Sequence, residues 1–226
     1  HVIEHLGARP VLVDVEPDTL NIDPNRVFDA IRKWDSADGQ LKAILPVHLL
    51  GHPCDMDLVL ELAAKYELIV VEDASESLGA QYNGVMVGHL GDVACFSFNG
   101  NKLITTGGGG MIVTDNEEWA TRTKYLTTQA KDDPVEYIHG EIGYNFRLTN
   151  ILAALGVAQM EQLDKFLEKK RDIARRYDEL LAEVPGIIPM AEAPWASSAF
   201  WLYTVRVDEN RYGSDSRGLL AVLQQQ

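Results

Sequence analysis

The sequence predicts an α/β fold in which helices cover both faces of a mainly parallel sheet. Short apolar runs at 10–15, 42–47 and 68–71 have the composition of buried strands, and helical segments separate them. This alternation of strands and helices with short connections is typical of parallel sheets. Ligands of such sheets collect at the carboxyl ends of the strands, so Asp73, just after the third run, marks a candidate site.

Two helices are expected between these strands. The first spans 23–34, because Asp23 can cap a helix and Pro24 is favoured at its first position. The second spans 56–66, where apolar residues recur on one helical face. The stretch 79–91 carries four glycines, and we expect a loop there.

The middle of the chain predicts a strand at 93–98 and another at 111–115, with Lys102 and the run Gly107–Gly110 between them. Glycines at these positions permit positive φ angles and a close approach of the backbone to a ligand. The polar stretch 127–143 reads as irregular, with a turn at 132–134.

A long helix is predicted to begin at Asn150 and to continue as far as Leu181, where Pro185 and Gly186 follow. A strand at 201–207 and a helix from 215 to 226 complete the pattern. We expect residues 1–158 to form a large domain, and residues 159–226 to form a linking helix and the start of a smaller C-terminal α/β domain. Because the sequence opens without Met and stops inside a predicted helix, we expect a fragment that lacks both ends.

Charge and cysteine content narrow the class of protein. The 226 residues carry a net charge of −14, which argues against binding to nucleic acid or to an anionic membrane surface. No apolar run approaches the length of a membrane-spanning helix. The two cysteines, Cys54 and Cys95, lie in apolar surroundings and are expected to be free thiols. Free thiols favour a reducing compartment, and we expect a cytoplasmic protein.

Three residues in order suggest the chemistry. Lys102 can form a Schiff base with an aldehyde, Asp73 can keep a pyridine nitrogen protonated, and Ser97 can bind a phosphate. Pyridoxal 5′-phosphate needs these three functions together, and the sequence therefore predicts a pyridoxal phosphate enzyme.

Other candidate sites were weighed against this one. His48 and His52 flank a turn, but without a third ligand we expect histidines packed in a turn and no metal site. His139 lies in the polar loop, where it faces either substrate or solvent. The glycine run lacks the Gly-Lys-Ser/Thr ending of a nucleotide-binding P-loop, so that reading is rejected.

Several motifs resemble those of the DegT/StrS sugar aminotransferases. They follow the family order over nearly the whole sequence, at 46–56, 71–80, 91–92, 96–98, 102, 107–110 and 143–147. The resemblance implies an aspartate-aminotransferase-like fold, in which the large domain has a sheet of the seven-stranded type and a smaller C-terminal domain follows. It also implies pyridoxal 5′-phosphate as the cofactor.

The resemblance carries roles to five positions. Lys102 matches the lysine that binds the cofactor covalently and moves protons during the reaction. Asp73 matches the partner of the pyridine nitrogen, and Ser97 a phosphate ligand. Asn145 matches an asparagine that reaches the phosphate of the other subunit, which implies a homodimer with shared active sites. Glu76 stands beside the cofactor ring, where the family commonly has Gln or His.

The family transfers an amino group, usually from glutamate, to a keto sugar carried on a nucleotide. The stretches 98–110 and 125–130 resemble members that act on UDP-linked 4-keto-6-deoxy-N-acetylhexosamines, and perosamine-forming relatives on GDP sugars are the near alternative. Sister proteins with sugar-dehydratase activity carry His in place of Lys102, so Lys102 argues against that activity. A cofactor-binding regulatory domain is the third reading, although no basic DNA-binding segment is visible.

Overall fold

The computed structural model describes residues 1–226 with the exception of Ser36, Asp38, Pro134 and Gln226. Parts of the predicted turn at 132–134 and of the predicted C-terminal helix therefore lie outside the described residues. Within the described part of the chain, none of the helices combines the length and apolar character that a membrane crossing requires. The helices of the described residues are α1 (Val2–His5), α2 (Pro24–Lys33), α3 (Met56–Tyr66), α4 (Glu117–Thr127), α5 (Asn150–Met160), α6 (Leu163–Leu181), α7 (Glu209–Tyr212) and α8 (Ser216–Leu223), with a 3₁₀ turn at Leu49–Gly51.

The strands of the described residues assemble into one main sheet and three small ones. They are β1 (Ala43–Ile44), β2 (Ile69–Asp73), β3 (Gln81–Tyr82), β4 (Val85–Met86), β5 (Val93–Ser97), β6 (Gly110–Val113), β7 (Lys131–Asp133), β8 (Ile138–His139), β9 (Ile187–Pro189), β10 (Ala196–Ser197) and β11 (Val205–Val207). The main sheet has the order β1-β2-β5-β6, in which β1 and β5 run parallel to β2 and β6 runs antiparallel to β5. The small sheets are β10-β3-β4, β11-β9 and β7-β8.

The mainly parallel α/β fold is confirmed. Whereas the family resemblance implies a sheet of the seven-stranded type, the main sheet of the described residues has four strands. Its inner face is covered by α2 and α3. There Val27, Met56 and Val59 pack with Ile44 and Val70 in the largest apolar cluster. Burial of these side chains is the main stabilising contribution to this part of the fold.

Local signals fix α2 and α3 accurately. The Asp23 side chain accepts a hydrogen bond from the Asn25 backbone N–H, so it caps α2 as predicted. The predicted bounds of α3 are confirmed, and the helix ends where Glu67 adopts a left-handed conformation with φ of 54°.

Several predictions for the secondary structure were wrong. The run 10–15 is not a strand: only Val15 forms an isolated bridge, to Ile22, and Leu12 is 91% exposed. The loop 79–91 contains the short hairpin β3-β4, and the polar stretch 127–143 contains the hairpin β7-β8. Helix α4 was not expected, although Asn116 caps it through a hydrogen bond from the Trp119 N–H.

The long helix predicted from Asn150 to Leu181 is two helices. The described backbone leaves helical geometry at Gln162, between α5 and α6. After this break Leu163 packs in a buried cluster with Phe98 and Ile104, whereas α5 has no buried residue. The pattern of apolar residues is continuous across the break, so periodicity alone did not reveal it.

Candidate active site

The strand ends of the main sheet carry two of the predicted site residues. Asp73 is the last residue of β2 and Ser97 the last of β5. Asp73 pairs with Cys95, and Ser97 lies two residues further along β5, so all three share one face of the sheet. This face is the more exposed one, since its neighbours Ile69 and Ile112 are 37% and 46% accessible. A ligand can therefore reach both side chains from the same side.

The Asp73 carboxylate is half-buried and accepts one hydrogen bond, from the Ser75 backbone N–H at 3.1 Å. Its backbone is held on both sides, because Asp73 N–H donates to the Pro46 carbonyl and the Asp73 carbonyl accepts from His48 N–H. Burial and the Asp73 charge together raise the pKa of the neighbouring Cys95 thiol. Cys95 therefore stays a neutral thiol.

Glu72, the residue before Asp73, is held by a second, fully buried network. Its carboxylate accepts hydrogen bonds from the His48 ring at 2.9 Å and from the backbone N–H groups of Gly88, Leu90 and Gly91. Burial raises the pKa of Glu72, but the hydrogen bonds from His48, Gly91 and Gly88 outweigh it, and the net pKa lies below the ordinary value. The Glu72 carboxylate is therefore stable as an anion, although the side chains of Glu72 and His48 are both 0% exposed.

His48 is fixed as one tautomer by its neighbours. Its Nδ1 accepts a hydrogen bond from the Cys54 backbone N–H at 3.0 Å, so its Nε2 carries the proton that is donated to Glu72. Glu72 was not expected from the sequence to be a functional residue. The sequence did carry a sign of its role, because a carboxylate that follows an apolar run directly is buried with it and then needs hydrogen-bond donors around it.

Lys102 lies in a compact group of charged and aromatic side chains. Its Nζ is 3.7 Å from Oε1 of Glu76 and 3.9 Å from the centroid of the Trp201 ring. The Lys102 and Glu76 side chains are 13% and 20% exposed, so the ion pair is only weakly screened by water. Glu76 is itself fixed, because its other oxygen accepts the Leu50 backbone N–H at 2.7 Å.

The loop that supplies this N–H has an unusual backbone. Leu50 has φ of 59° and Gly51 has φ of 98°, both in the left-handed region. A Cβ on Gly51 would lie 2.7 Å from the Trp201 N, which is too close for any other residue. The buried Asn21 holds the loop, since its Oδ1 accepts from Leu49 N–H and its amide donates to the Pro53 carbonyl.

Ser97 and the glycine run lie side by side, because Ser97 of β5 pairs with Gly110 of β6. The Ser97 hydroxyl accepts a hydrogen bond from the Asn99 backbone N–H, which leaves its proton able to donate to a ligand. Gly107 and Gly109 have φ of 81° and 99°, as the predicted role of glycine requires. A Cβ on Gly110 would lie 2.5 Å from the Phe96 carbonyl oxygen, so this position is also restricted to glycine.

Asn145 is exposed, and its backbone forms an isolated bridge with Thr128. Among the described residues, no hydrogen bond or ion pair joins it to Lys102, Asp73 or Ser97. The structure therefore brings Glu76 to Lys102 and places Asp73 and Ser97 on one sheet face, and the role of Asn145 stays a prediction.

Both turn histidines are engaged in the fold. His52 Nδ1–H donates to the Pro53 carbonyl at 2.7 Å and Nε2 accepts from Ala193 N–H at 3.0 Å, and burial lowers its pKa. Among the described residues no cluster of His, Cys, Asp and Glu could hold a metal ion. His139 is exposed and its Nδ1 lies 2.7 Å from the Gln129 carbonyl.

These features define an α/β protein with an ion-paired lysine near the carboxyl edge of a mainly parallel sheet. The model of the DegT/DnrJ/EryC1/StrS aminotransferase family matches residues 1–226, and the chain belongs to this family.

Individual relatives agree with this assignment. The chain is 42% identical over 208 residues to GDP-perosamine synthase of Caulobacter vibrioides, covering 92% of this chain and 54% of that protein. It is 42% identical over 201 residues to the putative pyridoxal phosphate-dependent aminotransferase EpsN of Bacillus subtilis, covering 89% and 52%. A crystal structure of a DegT DnrJ EryC1 StrS aminotransferase from Brucella abortus superimposes with a TM-score of 0.88 at 31% identity, covering 99% and 58%. The chain thus spans about half the length of the curated relatives it matches.

Proposed function

We propose that the full-length protein is a pyridoxal phosphate-dependent aminotransferase that transfers an amino group from glutamate to a nucleotide-linked 4-keto-6-deoxy sugar. The observation that carries the proposal is the position of Lys102, ion-paired with Glu76, near the sheet edge that holds Asp73 and Ser97. Family membership supports it. So does the 42% identity to a protein named as a pyridoxal phosphate-dependent aminotransferase.

The residues present fit this cofactor. Asp73 has an accessible face, and among the described residues its carboxylate accepts a single hydrogen bond, so it can accept another from a ring nitrogen. Ser97 has a hydroxyl proton to donate to a phosphate, and the left-handed Gly107 has open space where a side chain would be. Lys102 supplies the amine that would hold the cofactor by a covalent bond to its aldehyde.

The cofactor would supply an electron sink for the substrate carbon that loses or gains a proton. The Asp73 carboxylate would hold a proton on the ring nitrogen, because a fixed anion stabilises the protonated form. Lys102 Nζ would carry the proton between carbon atoms, since its amine is the basic group of this cluster. Glu76 would hold the Lys102 side chain within reach by the ion pair seen at 3.7 Å.

The sugar and its nucleotide belong to the same proposal. A UDP-linked 4-keto-6-deoxy-N-acetylhexosamine is the substrate that the resemblance of 98–110 and 125–130 favours. The 42% identity to GDP-perosamine synthase supports a GDP-linked sugar as the second candidate. In either case the carbon to be aminated is a ketone, and glutamate is the proposed donor.

A homodimer completes the proposed site. Helix α5 is largely apolar but has no buried residue, and Ile151 and Val157 are 83% and 61% exposed. A second copy of this chain would cover that surface, because contiguous exposed apolar side chains often mark a protein–protein interface. Asn145 lies in the segment just before α5, where it could reach the phosphate in the partner.

The test uses the full-length protein with glutamate and either a UDP-linked or a GDP-linked 4-keto-6-deoxy sugar. We expect amino-sugar formation with one of the two. Borohydride reduction of the enzyme should attach the cofactor to Lys102, located by peptide mass spectrometry. Loss of water from the sugar without gain of nitrogen would favour a dehydratase. Cofactor binding with neither reaction would favour a regulatory domain, and labelling of another lysine would overturn the assignment of Lys102.

A further inference from the structure

Trp201 lies against Lys102, although the two residues are far apart in the sequence. The Lys102 Nζ is 3.9 Å from the centroid of the indole ring, well within the distance at which a cation is attracted to the face of an aromatic ring. Trp201 is only 9% exposed, so this contact is made away from water. Trp is the aromatic side chain that binds cations best.

The indole is held in place at its edge and along its backbone. Its Nε1–H donates to the Asn101 carbonyl at 2.8 Å, directly beside Lys102 in the sequence. The Trp201 carbonyl accepts a hydrogen bond from Lys170 Nζ of α6 at 2.9 Å. The ring therefore has a fixed position relative to the segment that carries Lys102.

The same loop orders both partners of the lysine. Leu50 donates its N–H to Glu76, and its carbonyl accepts from Leu202 N–H, next to Trp201. Phe200, the residue directly before Trp201, has a left-handed φ of 45°. Strained backbone at a compact group of charged side chains is typical of functional sites.

We propose that the Trp201 ring and the Glu76 carboxylate form a holding site for the free Lys102 ammonium, with Trp201 as a positioning residue. This inference rests on the proposed function, in which Lys102 Nζ must stay close to the reaction when it is not bonded to the cofactor. The carboxylate supplies charge on one side of the ammonium, and the ring supplies an apolar face that excludes water on another. Because Trp201 follows α6, the C-terminal segment thereby becomes part of the lysine's environment.

The test measures how fast Lys102 reacts with acetic anhydride in the full-length protein after removal of the cofactor. Mass spectrometry would compare its acetylation with that of the exposed Lys169 in the same sample. We expect Trp201→Leu to raise the relative rate about two- to thirtyfold, which spans the strength of a cation–π contact. Trp201→Phe keeps an aromatic ring and should give a smaller increase.

Trp195→Leu is the matched control, because Trp195 packs on His52 and Tyr82 and makes no described contact with Lys102. It should leave the relative rate unchanged. If Trp201 and Glu76 hold the same ammonium, Glu76→Gln combined with Trp201→Leu should raise the rate by less than the product of the single effects. Purely structural damage by Trp201→Leu would instead also raise the acetylation of the half-buried Lys131, whose described contact is with the ring of Tyr137.

An unchanged relative rate in a folded Trp201→Leu protein would overturn the holding site. Rates that rise equally in Trp195→Leu would overturn it too. Borohydride labelling of the cofactor-loaded Trp201→Leu protein distinguishes failure of the holding site from failure of the proposed function. Attachment of the cofactor at Lys102 upholds the proposed function whether or not the holding site exists, and attachment elsewhere refutes the proposed function.

Discussion

Two regions of the molecule contribute to the candidate site in opposite ways. Around Lys102 and Glu72, side chains are buried and paired: Lys102 is 13% exposed and Glu72 is 0% exposed. In the segment from 141 to 160, large apolar side chains stand in water, with Ile142 and Ile151 at 85% and 83% exposure. The first region satisfies its charges within one chain, and the second exposes apolar side chains that no other described residue covers.

The two regions differ in whether this chain alone provides the groups that stabilise them. A buried carboxylate such as Glu72 is tolerated only if donors surround it, and all four of its donors come from this chain. An apolar helix such as α5 gains stability only when a second surface covers it. We therefore expect changes near Lys102 and Glu72 to act within a subunit, and changes near Asn145 to act between subunits.

The largest effect is expected at Lys102. Lys102→Ala removes the amine that would hold the cofactor and carry the proton, and the rate of amino transfer should fall by about 10³-fold or more. Fixed-time assays of the full-length enzyme with glutamate and keto sugar would measure this. Lys169→Ala, a change at an exposed lysine, is the control and should keep wild-type activity; comparable losses in both variants would contradict the role of Lys102.

The next effect concerns the stability of the buried network. Glu72→Gln replaces a carboxylate that accepts four hydrogen bonds by an amide that must turn an N–H group toward donors. We expect the free energy of unfolding to fall by about 3 kcal/mol, because buried hydrogen bonds to a charged group are lost and a buried donor is left without an acceptor. Urea denaturation monitored by circular dichroism would measure it. Glu61→Gln on the exposed side of α3 should change stability by at most about 0.5 kcal/mol.

The acid dependence of stability should follow the same carboxylate. Because the pKa of folded Glu72 is below its ordinary value of 4.5, its stabilising contribution is complete above that pH. The contribution is lost as the pH falls through the folded pKa, where Glu72 gains a proton beside His48. Denaturation series from pH 6 to pH 3 should show a smaller loss of stability in Glu72→Gln than in wild type; parallel curves would exclude this linkage.

A smaller effect is expected at the left-handed loop. Gly51→Ala introduces a Cβ 2.7 Å from the Trp201 N at a φ of 98°, and stability should fall by about 2 kcal/mol. Thermal and urea unfolding would measure it. Gly100→Ala is the control, since Gly100 has open space around its Cα and no positive φ. Equal stability of the two variants would show that the loop can relax.

The smallest single effect is expected at Asn145, where loss of one phosphate contact should lower activity about tenfold. If Asn145 acts across a dimer, mixing Asn145→Ala with Lys102→Ala should restore activity. Random exchange of subunits makes half of the dimers mixed, each with one intact site, so recovery should approach roughly a quarter of wild type. Absence of recovery, with exchange verified by differently tagged subunits, would mean that each site is built from a single chain.

The sequence by itself determined the elements that depend on neighbours along the chain. The cap at Asp23, the periodicity of α3 and the apolar strands that lead to Asp73 and Ser97 are local properties, and the sequence located each of them, although the strand ends differ by one or two residues from the prediction. The order of Asp73, Ser97 and Lys102 was also sufficient to indicate the cofactor chemistry.

Only the tertiary structure shows which side chains surround Lys102 and Glu72. Trp201 contacts Lys102 and His48 contacts Glu72 only because distant segments pack together, and no local pattern encodes those distances. The left-handed Leu50 is likewise stabilised by long-range contacts, including that of its N–H with Glu76. The break before α6 depends on the burial of Leu163, which the apolar period could not show. Propensity acts over a few residues, whereas the desolvation of charges and the filling of the core are settled by the whole fold.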